Sequence, residues 1–295
     1  MASAEPAVTV RWLGVAGFAI ESGDTALLHD PYLSRPGLWR TALFRYRPNP
    51  AVLGPLLAAG SPAPELARAR LILIGHSHFD HLGDAPWIAQ RSGASLAGSA
   101  TSVAIARGYG LAAEQTQQLA PGARVEVGPF AIRVVESRHA AVLLGRVPLP
   151  GQLEEPPDGP IHALSFVLGD ARGYLVEHRP TGLRLFLLSS AGVHPPALEG
   201  LRKEGVSVDV LLAAVQGRDA EYAATLVTSL RPRVVVPHHF ESFFRPIDDP
   251  RASEPSDPAD LAAFEQEIRA AAEAAGAPVE VRYLDLFGTL TLRAP

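Results

Sequence analysis

Apolar stretches along this chain are short, and glycine, proline or a polar cluster cuts each one off. Alternating apolar and polar positions in Val8–Gly14 predict a strand. Gly17–Glu21 and Ala26–His29 predict two more, joined by the turn Ser22-Gly23-Asp24. Leu71-Ile72-Leu73-Ile74 is apolar throughout and reads as a buried strand that stops at Gly75. Ala94–Ala97 is a further strand, and Arg124–Val127 with Phe130–Val135 forms a hairpin about Gly128-Pro129. A second strand-rich half follows, with Leu164–Leu168, Gly173–Glu177, Leu183–Leu188, Val208–Val215 and Arg233–Phe240, then Val279–Leu284 and Thr289–Leu292.

Helical signals fall between these strands. Asp84 is expected to cap a short helix with Pro86 near its first turn, ending near Arg91, and Thr101 to cap another ending near Arg107. Pro195–Lys203, Asp219–Leu230 and the amphipathic Asp257–Ala275 read as three more. Tyr32–Leu57 and Ala140–Ile161 follow neither period and are too long for ordinary connections. With no low-complexity linker between the halves, the pattern predicts an α/β chain folded as one domain, residues 1–295.

Composition narrows the partners. A hydrophobic content of 47% is ample for a large core, and no apolar run approaches the ~18 residues of a membrane helix. A net charge of −5 lacks the basic stripe that nucleic acid requires, which leaves a small-molecule substrate as the expected ligand. Absence of cysteine removes disulfides and thiolate ligands together. Met1–Pro6 has neither the basic start nor the apolar core of a signal peptide, so a cytoplasmic location is expected unless a cleaved leader preceded it.

Candidate chemistry sits where the fourth strand ends. Gly75 is followed by His76-Ser77-His78-Phe79-Asp80-His81, which holds three of the chain's ten histidines. Imidazole and carboxylate are the ligands that a borderline metal such as zinc prefers. On extended backbone His76 and His78 face the same way and can grip one ion, while Asp80 and His81 can turn to a second.

His-x-His-x-Asp-His after an apolar strand resembles the signature of the metallo-β-lactamase fold superfamily. The opening Trp12-Leu13-Gly14, Gly17-Phe18-Ala19-Ile20 and Asp30-Pro31 is similar to the N-terminal strands of the same superfamily. The resemblance implies a four-layer αββα sandwich of two mixed β-sheets between helices, with one or two metals at the sheet edge. It implies His76, His78, Asp80, His81, His139 and His239 as metal ligands, His239 being selected over His238 by the Pro-x-His-aromatic pattern. It further implies that Asp30 orients a liganding imidazole. Where the family places a metal-bridging aspartate, this chain has Ser190, a poor bridging ligand, and His194 is the residue that could compensate.

The expected cofactor is one or two zinc ions, with Mn2+ or Fe2+ as alternatives. Zinc lowers the pKa of its water toward ~7, and Asp80 and His81 are the residues expected to act in catalysis. Hydrolysis of an ester, lactone or phosphodiester follows; the alternative is a catalytically weakened binding protein, because Ser190 replaces the bridge. Arginines interleaved with aromatics in Tyr32–Leu57 suit an anionic group on an apolar body, with Arg45 and Arg47 as substrate-binding candidates and peripheral membrane contact as a further option. A solvated loop pinned by its aromatics is the blander account. Ala140–Ile161 starts directly after His139 and is expected to hang over the site as an apolar flap carrying Val142, Leu143 and Leu144.

Overall fold

The computed structural model describes residues 6–142 and 144–293. Strands β1 (Ala7–Gly14), β2 (Gly17–Ser22) and β3 (Thr25–His29) open the chain as an antiparallel meander. Helices α1 (Leu38–Leu43) and α2 (Pro50–Leu57) lead to β4 (Ala69–Leu73), α3 (Phe79–Leu82), α4 (Ala85–Ser92), β5 (Ser95–Gly98), α5 (Ala100–Gly108) and β6 (Thr116–Gln118). The second half runs β7 (Arg124–Val127), β8 (Phe130–Glu136), β9 (Arg172–His178), β10 (Leu183–Leu187), α6 (Pro195–Lys203), β11 (Val210–Ala214), α7 (Tyr222–Leu230) and β12 (Val234–His238). Helix α8 (Pro258–Ala274), β13 (Glu280–Val281) and β14 (Thr289–Arg293) follow, and β14 returns to pair with β1.

Two mixed seven-stranded sheets result, ordered β14-β1-β2-β3-β4-β5-β6 and β13-β12-β11-β10-β9-β8-β7. Alternation along β4 assigns the faces. Leu71 and Leu73 join the core between the sheets, whereas Ile72 and Ile74 pack outward with Leu53, Ile88 and Ile105 of α2, α4 and α5. Leu198, Leu226 and Phe264 place α6, α7 and α8 against the second sheet. The layers are therefore helix, sheet, sheet, helix, as the αββα expectation required. Strands β8, β10, β11 and β12 run in one direction, as do β3 and β4 in the other sheet. Their C-terminal ends supply the loops that carry the candidate ligands, the usual place for a site in open α/β sheets.

Four expectations need correction. Tyr32–Leu57 is not one long loop. Asn49 accepts a hydrogen bond from Ala51 N and caps α2 at Pro50, and buried Leu53 and Leu56 hold that helix to the core. Leu164–Leu168 is not a strand: a 3-10 turn spans Ala163–Ser165, and burial of Ala163 and Phe166 rather than sheet pairing anchors it. Ser99, not Thr101, caps α5, while Thr101 Oγ1 accepts from Leu153 N. Asp84 precedes α4 but does not cap it; its buried carboxylate accepts from Leu33 N, Ser34 N, Ser34 Oγ and Tyr46 Oη instead.

Candidate metal centre

Gly75 ends β4 in a space where no side chain fits. A Cβ there would lie 1.5 Å from Ser189 Oγ, so glycine lets the loop from β4 meet the loop from β10. Asp30 leaves β3 with φ of 41° and spans the gap below the loop: Oδ1 accepts from Gly75 N at 2.8 Å and Oδ2 from His81 Nδ1 at 2.8 Å. Both positive φ here and 56° at His239 are uncommon for side-chain-bearing residues, a backbone cost found where surroundings enforce a functional geometry.

Six side chains converge in two groups. His76, His78 and His139 form the first, and Asp80, His81 and His239 the second, each with ligand-type atoms within 4.8 Å of one another. In the first, His76 Nε2 lies 3.1 Å from His78 Nδ1, and the His139 ring stands 4.7 Å and 4.8 Å from those of His76 and His78. His139 Nδ1 meets Ala140 O at 2.7 Å, and as the donor in that bond it leaves a lone pair on Nε2. In the second, Asp80 Oδ2 lies 3.5 Å from His81 Nε2 and 3.3 Å from His239 Nε2. The groups touch, because the His76 and His81 rings are 3.8 Å apart.

Electrostatics separates the two positions. Burial and the neighbouring imidazoles hold His76 well below its ordinary pKa; burial, with His81 beyond it, takes His78 down to about 4. Burial and His78 take His139 to about 3. All three stay neutral, as ligands must. Burial alone would also lower His81, but the Asp80 and Asp30 carboxylates outweigh it and raise its pKa. Burial would raise the Asp80 carboxyl, yet His81 and His239 keep it ionised below the usual range. The second position thus asks for positive charge, which either a proton on His81 or a metal ion supplies. Three neutral imidazoles beside two imidazoles and a carboxylate are a donor set that suits zinc-class ions.

A cavity of about 230 Å³ opens on both groups. Phe79, Val142, Pro148, Leu149 and Phe243 give it apolar walls, and Ser190 and Gln216 add neutral polar groups. Val142, Pro148 and Leu149 belong to Ala140–Ile161, which has no helix or strand among its described residues; Leu143 lies outside them. Leu149 O and Gly151 O accept from Leu168 N and Gly169 N and tie the segment down beside Ser77.

Other candidates stand elsewhere. Ser190 Oγ lines the cavity and accepts from Ala140 N at 3.0 Å, so it anchors the residue after His139. His194 does not take the bridging place: it lies outside both groups, with Nδ1 3.6 Å from Glu136 Oε2. His238 is buried edge-on against Phe18, and His239 alone of the pair faces Asp80. Arg45 and Arg47 are exposed and absent from the cavity wall; Arg45 Nη1 donates to Pro160 O, and Arg47 borders a surface hollow with Trp87 and Tyr109. Neither arginine borders the cavity that opens on the two groups.

Two contacts had no readable signal. Ser189 Oγ meets His29 Nε2 at 3.2 Å beneath Asp30. Arg35 is buried and donates to Glu241 Oε1 at 3.1 Å and to Ala252 O, with its guanidinium in the space that a Cβ on Gly14 would need. Glu241 Oε1 also accepts from Val15 N, and Val15 O accepts from His239 N at 3.1 Å. The pair therefore fixes the turn that presents His239.

A family model described as the beta-lactamase superfamily domain matches residues 9–239. A UPF0173 metal-dependent hydrolase of Anaeromyxobacter dehalogenans is 28% identical over 241 residues, 79% of this chain and 75% of that protein. Among solved structures, Igni18, a metallo hydrolase from Ignicoccus hospitalis, superposes with a TM-score of 0.59 at 20% identity, covering 97% of this chain and 99% of that one. CmlA, a diiron β-hydroxylase from Streptomyces venezuelae, gives a TM-score of 0.61 at 13% identity over 99% of this chain and 55% of its own. The likeness to both structures concerns the fold alone.

Proposed function

The chain belongs to the beta-lactamase superfamily, and from that premise we propose that it is a metal-dependent hydrolase. Its substrate is an ester, lactone or phosphodiester with an apolar body. The observation that carries this reading is the pairing of a three-histidine group with an Asp80–His81–His239 group at the floor of one largely apolar cavity. His76, His78 and His139 would hold the first zinc, and Asp80, His81 and His239 the second, with Mn2+ or Fe2+ as alternatives. When bound, the ions supply Lewis acidity toward water and a substrate oxygen.

Asp80 faces the cavity, and where the second position is vacant it is the carboxylate placed to accept a proton from an attacking water; its lowered pKa makes it a weak base there, so this route would be slow. His81 is held in place by Asp30 and keeps Asp80 oriented. Phe79, Phe243, Val142, Pro148 and Leu149 exclude water from an apolar substrate portion. A fold as one unit goes with this reading, since each group draws residues from loops of both sheets. Among the described residues no helix is long and apolar enough to cross a membrane.

A second reading rests on Ser190. With a neutral hydroxyl already engaged by Ala140 N at the bridging place, the chain would be a binding protein of weakened catalysis. Metal analysis together with turnover of p-nitrophenyl esters and bis-p-nitrophenyl phosphate, with and without chelator, separates the two. Chelator-sensitive turnover supports the hydrolase; metal binding without turnover of either class supports the second reading.

A further inference from the structure

Large apolar side chains are exposed in few places, and most of them cluster. Trp39 (76% exposed), Leu43 (67%), Phe44 (62%) and Leu38 (52%) crowd α1 and its end, and Leu164 (64%) projects from the turn packed against α1. Monomeric surfaces rarely leave such side chains side by side without a partner. The segment is held rigidly from beneath: His162 Nε2 meets Ala42 O, Tyr46 N donates to Ile161 O, and buried Tyr46 packs on Phe79 of the cavity wall. The exposure therefore belongs to a folded face and not to a loose loop.

Charge identifies what covers it. Between Asp30 and Glu65 the sequence holds no acidic residue but four arginines. Arg35 is consumed by Glu241, whereas Arg40, Arg45 and Arg47 are exposed and make no ion pair among the described residues. Among the described residues, Glu154, Glu155 and Asp158 of the neighbouring flap form no ion pair with them. A basic, tryptophan-bearing apolar face on a chain of net charge −5 is complementary to one kind of surface. Indole and phenyl rings settle at the headgroup boundary of a bilayer, and arginines beside them attract anionic lipid within a Debye length. A second copy docked through the same face would set Arg40, Arg45 and Arg47 against their own counterparts, like charge against like.

We propose that α1 and the turn Ala163–Ser165 dock this protein on an anionic lipid surface. The cavity lies one layer behind the docking face, through Tyr46 and Phe79.

Cosedimentation with vesicles tests this without turnover, so the hydrolase reading stands or falls separately. Vesicles of phosphatidylcholine with one-third phosphatidylglycerol should bind the protein at 0.1 M salt, at least tenfold more than vesicles of phosphatidylcholine alone. Trp39→Ser with Phe44→Ser should abolish binding while hydrolysis of a water-soluble p-nitrophenyl ester stays unchanged. Arg40→Gln with Arg47→Gln should remove the preference for anionic lipid. Equal binding to both vesicle types, no binding, or undiminished binding by the Trp39/Phe44 variant overturns the proposal. A dimer of the parent that Trp39→Ser dissociates assigns the face to a second copy and overturns it equally.

Discussion

Asp30 holds His81 with one carboxylate oxygen and Gly75 N with the other, both at 2.8 Å, so one residue positions a candidate ligand and the loop that carries it. Asp30→Asn preserves an acceptor for Gly75 N but offers His81 an amide of no charge. Metal affinity at the second position should fall by about 10–100-fold. Calorimetric titration of the second equivalent measures it; parent-like affinity would mean that Asp30 is a structural strut only.

Ser190→Asp places a negative charge where two dications, if both proposed positions fill, would need screening. The second equivalent should bind about tenfold or more tightly, while Ser190→Ala, which strands Ala140 N, should cost about 1 kcal/mol of stability. Unchanged titration in Ser190→Asp would assign the bridging to another group.

Metal-free protein should lose stability as pH falls from about 6.5 toward 3. His78 and His139, at about 4 and about 3 folded against 6.5 unfolded, take up protons in the unfolded chain first, so unfolding is favoured across that window. Asp30 and Asp80, with lowered pKa values, act in the same direction lower down, as pH falls through their folded values. His81 opposes them, because its raised folded pKa contributes stability at low pH that is lost on going up. Denaturant melts at several pH values should show a shallower slope in His78→Asn/His139→Asn protein. An identical slope would remove these two groups from the balance.

Arg35→Met leaves Glu241 buried without its partner. Breaking such a pair costs roughly 3–5 kcal/mol, and the turn bearing His239 should loosen with it. Chemical denaturation reads the first effect and metal stoichiometry the second. Arg47→Gln, at an exposed position outside the cavity, should change kcat/KM by less than about twofold for soluble ester and phosphodiester alike.

What the sequence made readable was local or patterned. His76 to His81 stand in one short run, and the strands that lead to His139 and His239 show as apolar runs, while the choice of those two histidines came through resemblance. Asp30 was legible only through resemblance to a known opening. The rest depends on contacts between distant positions. Nothing near Arg35 signals that Glu241 will neutralise it, and nothing near Ser189 signals His29. Tyr32–Leu57 misled because proline and arginine density hid two short helices, one capped by Asn49. Leu164–Leu168 misled because apolar residues that pack singly imitate a strand.

Neither sheet carries a complete group of candidate ligands. His76, His78, Asp80 and His81 follow a strand of the first, whereas His139 and His239 follow strands of the second. An ion in either position would clasp the two halves of the chain together. The energy of ion capture becomes folding energy, and free metal at a thousandfold over its Kd adds about 4 kcal/mol. Metal supply then sets how often the clasp opens, and with it how long the chain outlasts proteases that cut transiently opened forms.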